Sequence, residues 1–234
     1  MNKLFVGALL CAVASATFAA DNPESAKVQS LIKQRMHFQA DSVRKLPVGL
    51  YEVVVQGQVV YVDPAVKFFI NGPIIDIQNG RNLTQERLDE LAQIDVTKLP
   101  LDQALKTVRG NGKRVIYTFS DPYCGYCQRL ERTLAKLDNV TIYSFVVPLM
   151  NSEEMVNRIF CSKDPTQAWH DWMIKQIEPA KSDSCQSPLV QKNALLVSRF
   201  GINSAPNSYF SDGSRLEGAV SLEDIEKKFS SIYR

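Results

Sequence analysis

Cys124 and Cys127 are the side chains in this sequence best placed to do chemistry. They lie in the run Phe119-Ser120-Asp121-Pro122-Tyr123-Cys124-Gly125-Tyr126-Cys127. Thiolates are nucleophiles, and a pair of thiols can close and reopen a disulfide. On a helix, positions i and i+3 bring Cβ atoms to roughly 5–6 Å, within reach of a disulfide after modest adjustment. Gly125 relieves crowding in that tight ring. A reversible dithiol/disulfide switch is the chemistry this spacing favours. A zinc half-site is the first alternative, but zinc wants about four ligands. The remaining candidates, Cys161, Cys185, His37 and His170, form neither a second C-x-x-C nor an H-x(3–5)-H, so no metal is expected. A purely structural disulfide is the second alternative, and it has no need of the setting that follows.

That setting is a strand, a turn and a helix. Arg114 to Phe119 reads as a strand, and Leu130, Leu134 and Leu137 recur at helical spacing. Cys124 therefore falls near a helix N-terminus, where unpaired N–H groups and the positive dipole end favour a thiolate. Cys124 is the expected accessible nucleophile and Cys127 the shielded partner. Val140 to Val147 reads as a second buried strand. A strand–helix–strand unit implies a parallel pair, and C-x-x-C within such a unit is a thioredoxin-like signature.

The chain has 234 residues, 45% of them hydrophobic, with a formal net charge of +2. That size suits one large domain or two small ones, and that charge gives no case for nucleic acid. Residues 1–20 read as a signal peptide: Lys3, an apolar run from Leu4 to Val13, then small residues. Cleavage is placed after Ala19 or Ala20. The apolar run is short for a membrane span. Cys11 leaves with that segment, and four cysteines remain, an even number in an exported chain.

Residues 21–79 read as a small unit. A helix from Ser25 to His37 precedes β-rich runs at Leu50–Val55, Val59–Val62, Lys67–Ile70 and Ile74–Ile77, with a hairpin signal at Gln56-Gly57-Gln58. About sixty residues bury little surface, so dimerisation through an edge strand or apolar face is expected. Residues 80–109 read as a helical connector, Leu83 to Ile94 with an extension or restart at Leu101 to Val108. Residues 110–234 form the third block. Within it, about 150–200 is helical in pattern, with Trp169, Trp172 and Met173 taken as core. Cys161 and Cys185 fall there, 24 positions apart. They are either a second redox pair or a staple across the helical stretch, and neither belongs to a C-x-x-C. A hairpin around Ser211-Asp212-Gly213-Ser214 and a capped helix from Ser221 close the chain.

Three stretches together resemble the bacterial periplasmic disulfide isomerases of the DsbC/DsbG family. They are Phe69-Ile70-Asn71-Gly72-Pro73, Phe119 to Cys127, and Ala205-Pro206 before the Ser-Asp-Gly hairpin. Cys124-Gly125-Tyr126-Cys127 looks like the DsbC active site; DsbG-like proteins carry proline at the second position. The resemblance implies an α+β chain. A cystatin-like N-terminal domain dimerises, and a C-terminal thioredoxin fold carries a helical insertion and faces an uncharged cleft. It implies a structural Cys161–Cys185 bridge, and catalysis by Cys124 with Cys127 resolving. It also implies a cis-proline at Pro206, beside the C-x-x-C, exposing the Ala205 backbone to a substrate strand; an ordinary trans turn proline is the alternative. The family usually has Thr before this proline, and here the hydroxyl is missing. Tyr123 and Tyr126 are read as substrate surface, with core packing as the alternative.

The activity so implied is disulfide isomerisation or reduction in exported proteins. The implied partners are a second copy, misfolded disulfide-containing clients and a DsbD-type membrane reductase, with no cofactor. A net oxidase and a mainly chaperone-like binding module are the competing classes.

Overall fold

The computed structural model describes residues 23–181 and 184–233, so the expected signal peptide lies outside the described residues. The chain divides into two units between Leu88 and Asp89.

In the first unit, α1 (Pro23–Met36) precedes β1 (Ser42–Lys45), β2 (Tyr51–Val55), β3 (Gln58–Val62) and β4 (Phe69–Ile70). These pair antiparallel in the order β1-β2-β3-β4. Gln56 and Gly57, both at positive φ, make the two-residue β2–β3 turn that the sequence signals. Valines on alternate positions fill both faces of this sheet. Val53, Val60 and Val62 meet Val28 and Ile32 of α1, while Val54 and Val59 pack with Leu88. β5 (Ile75–Asp76) and β6 (Arg81–Asn82) form a separate ribbon before α2 (Leu83–Leu91). The expected fourth strand thus shrinks to two residues and leaves the main sheet, and the polar β1 is an addition.

The second unit holds a five-stranded sheet in the order β11-β10-β8-β9-β7. Its elements are β7 (Leu105–Arg109), β8 (Arg114–Ser120), α3 (Gly125–Leu134) and β9 (Val140–Val146), then α4 (Glu153–Phe160), α5 (Pro165–Lys175) and α6 (Leu189–Arg199). β10 (Asn207–Phe210), β11 (Arg215–Glu217) and α7 (Leu222–Ile232) complete it. β8 and β9 are parallel through α3, as the strand–helix–strand reading requires. Ser221 and Asp224 form a capping box at the start of α7.

The helical reading of Leu101–Val108 is overturned. Two 3₁₀ turns, Val96–Lys98 and Leu101–Gln103, lead into β7, which pairs antiparallel with β9 from Leu105↔Ser144 to Arg109↔Val140. Leu101, Leu105 and Val108 fit helical spacing, but burial of Leu105 beside the sheet decides for a strand. The division between the units falls within α2.

Candidate active site: a dithiol at the start of a helix

β8 carries the chain out of the core. Its Phe119 is fully buried, with its ring stacked on Phe145 at 4.8 Å. The strand ends at Ser120 and the chain turns at Asp121, whose carbonyl accepts from Cys124 N at 3.2 Å. Cys124 is the N-cap of α3, with extended backbone angles. The Cys127 N–H donates to Cys124 Sγ at 3.4 Å, so one of the orphan donors of the helix start points at that sulfur. Cys124 in turn donates to the carbonyl of Ala205 at 3.4 Å, and the Ala205–Pro206 bond is cis. Both cysteines are free thiols.

Cys124 is 6% exposed and Cys127 0%. Both sulfurs are therefore buried, Cys127 completely and Cys124, expected to be the exposed one, only slightly less. Burial, followed by the hydrogen bond with Cys124, pushes the Cys127 thiol far above its ordinary value. Tyr123 and Tyr126 are 45% and 62% exposed, which removes core packing as their role. Trp169 and Met173 are core, as expected, and Trp172 is half-buried, packed against that core. Its indole donates to the carbonyl of Pro122 at 2.7 Å, and its ring stands edge-on to Tyr123 at 6.2 Å.

Asp121 escaped the sequence reading. It is fully buried; one carboxylate oxygen accepts from Tyr123 N, the other from Leu149 N, Met150 N and Ser152 Oγ at 2.6–2.8 Å. Its own N–H donates to Cys127 Sγ at 3.4 Å. Asp121 thus ties the C-x-x-C turn to the segment that leads into α4. A carboxylate closing an apolar strand was the available signal. Glu131 of α3 was missed too. It is 1% exposed, burial raises its pKa to about 7, and His170 Nδ1 lies 3.8 Å away.

Cys161 and Cys185 are bonded to each other. The bridge joins the end of α4 to the segment before α6. Asn157 supports it, donating to the Cys185 carbonyl at 3.1 Å and accepting from Ser187 N at 2.8 Å. His37 follows α1 on the surface of its unit, at positive φ. Among the described residues, no cluster of His, Cys, Asp and Glu is arranged to hold a metal.

Known protein families match this chain in both of its units. Residues 101–232 match the thioredoxin-like domain, and residues 18–85 match the disulfide bond isomerase protein N-terminal domain. The chain is 36% identical over 212 residues to a probable thiol:disulfide interchange protein DsbC of Bordetella pertussis, covering 89% of this chain and 75% of that one. The chain belongs to the DsbC family. The Escherichia coli K12 thiol:disulfide interchange protein DsbC is 28% identical over 229 residues, covering 93% of this chain and 91% of that one. A crystal structure of a disulfide interchange protein from Neisseria gonorrhoeae aligns with TM-score 0.53 at 34% identity, covering 57% of this chain and 97% of that one. The protein is a thiol:disulfide interchange enzyme with a DsbC-type N-terminal domain and a thioredoxin fold.

Proposed function

We propose that this DsbC-family protein is a periplasmic isomerase and reductase that attacks incorrect disulfides through Cys124. The observation that carries the reading is the asymmetry of the dithiol. Cys124 alone caps α3 and faces the Ala205 carbonyl, while Cys127 lies sealed behind it. The Cys124 thiolate attacks one sulfur of a client disulfide. A Cys124–client bond forms, the client S–S bond breaks, and the second client sulfur leaves as a thiolate. A client thiolate can then attack the mixed disulfide, forming a new client bond and restoring Cys124. If none does, Cys127 loses its proton and attacks Cys124 Sγ, releasing the client thiol reduced and leaving the enzyme disulfide. A DsbD-type membrane reductase then returns two electrons. Tyr123, Tyr126, Ala205 and Pro206 hold the client, and the exposed rings add a chaperone activity for unfolded chains. Cys161–Cys185 serves as the staple of the helical insertion.

The N-terminal unit dimerises the protein. β4 is an edge strand, and Phe68, Phe69, Ile70, Ile75 and Ile77 are exposed around it, an apolar surface that invites a second copy. Light scattering of the chain without residues 1–20 should give a dimer, and Ile70→Lys should shift it toward monomer; a monomeric native chain would sink this part. The catalytic reading is tested by refolding a scrambled multi-disulfide protein. Native protein should restore activity, Cys124→Ser should not, and Cys127→Ser should retain part of it while accumulating mixed disulfides. Full activity in Cys124→Ser would refute the assignment.

A further inference from the structure

Beside the cis-proline lies a pocket of about 250 Å³ lined by Tyr126, Arg129, Ser204, Ala205, Pro206 and Glu217. It is smaller than the roughly 300–1,000 Å³ of sites that enclose whole small molecules, so it suits one side chain. It adjoins the reacting sulfur, because the carbonyl of its Ala205 wall is the group that Cys124 Sγ touches at 3.4 Å.

The two charged walls are not equivalent. Glu217 is neutralised: one oxygen accepts from Ser204 Oγ at 2.9 Å, and the other lies 3.1 Å from the Arg215 guanidinium. Arg129 has no carboxylate partner among the described residues. Its guanidinium sits 5.4 Å from the centre of the Tyr126 ring, which restrains the side chain and leaves its donors open. Arg132 follows at i+3 on α3 and Lys136 lies in the turn after its end, both exposed and without a carboxylate partner among the described residues. The open charge at this pocket is therefore positive.

We propose that this pocket is a subsite that selects among client cysteines by charge: it takes the side chain of a residue flanking the client cysteine and prefers a carboxylate. The arginine fork matches a carboxylate in two parallel hydrogen bonds, while a lysine there meets an uncompensated cation. The inference rests on Cys124 as the attacking thiol. It gives the surface beside that thiol a sign, where the family resemblance leads one to expect an uncharged one.

The test uses the reduced full-length protein without residues 1–20 and peptide disulfides that differ only in carrying Glu, Gln or Lys beside the cysteine. Their second-order reduction rates should fall in the order Glu, Gln, Lys, spanning roughly three- to tenfold at low salt, the scale of exposed ion pairs and local steering. The span should collapse near about 0.5 M salt, where screening is short-ranged. Arg129→Gln should flatten the order, and Arg129→Glu should reverse it. Equal rates in the native protein, an order that survives high salt, or an order unchanged in Arg129→Gln would each overturn the proposal. Failure to reduce any peptide would instead refute Cys124 as the nucleophile, and this inference with it.

Discussion

Cys124 and Cys127 stand three residues apart at the start of α3 as free thiols, whereas Cys161 and Cys185 stand 24 apart and are bonded. The first pair is asymmetric: one sulfur receives a helix N–H and faces a carbonyl, and the other is sealed in the core. The second pair is framed by Asn157, which grips the chain on the Cys185 side at two points. A cysteine pair next to a cis-proline, with one sulfur against the Ala205 carbonyl, is built to exchange. A pair that closes a long loop and is held by amide hydrogen bonds is built to stay closed. The same bond thus has two fates, set by its surroundings and not by the thiols.

Several substitutions would break or sharpen that contrast. The largest effect should come from Cys124→Ser, with client reshuffling falling to the uncatalysed rate, while Cys161→Ala/Cys185→Ala keeps measurable isomerase activity at 25 °C. Refolding assays read both. Asp121→Ala should come next, because it leaves four donors around the C-x-x-C turn without an acceptor. A loss of about 2–4 kcal/mol is expected by denaturant titration, together with faster alkylation of Cys127. Removing the Cys161–Cys185 bridge should cost about 3 kcal/mol on the loop-entropy argument, a fall of roughly 6–12 °C in Tm by calorimetry.

Glu131 should contribute a pH-dependent effect of similar or smaller size. Burial raises its carboxyl from an ordinary 4.5 to about 7. The folded state thus holds a proton that the unfolded chain releases. Stability should fall as pH rises from about 4.5 to about 7 and then level off. The difference between native protein and Glu131→Gln should grow across that window toward pH 8, by up to about 3 kcal/mol in favour of the variant. His170, lowered chiefly by burial, acts in the opposite sense below its ordinary value and is common to both proteins. A flat difference between the two proteins from pH 5 to 8 would show that Glu131 does not titrate as described.

What the sequence made legible followed from local pattern. The apolar run into Phe119 and the leucines at 130, 134 and 137 placed Cys124 at a strand-to-helix turn, and the structure caps α3 with it. The hairpin at Gln56-Gly57 and the capping box at Ser221 were equally local. What stayed hidden depends on distant partners. β7 looked helical because its strand character comes from pairing with β9, some 35 positions away. Asp121 gathers donors from 149–152, Glu131 meets His170, and Trp172 reaches back to Pro122. None of these contacts leaves a periodic trace. The long reach of Arg129 to a pocket built from β11 and the cis-proline loop is of the same kind.

The division of labour between the two cysteine pairs is tested most directly by graded reduction near pH 6, followed by pulse alkylation and mass mapping of all four cysteines. Under mild reductant, Cys124 should be labelled far faster than Cys127, which is buried and held far above its ordinary pKa. Cys161 and Cys185 should stay unlabelled until much stronger reductant opens their bond. Labelling of Cys127 as fast as Cys124, or opening of both disulfides at the same reductant strength, would contradict the account.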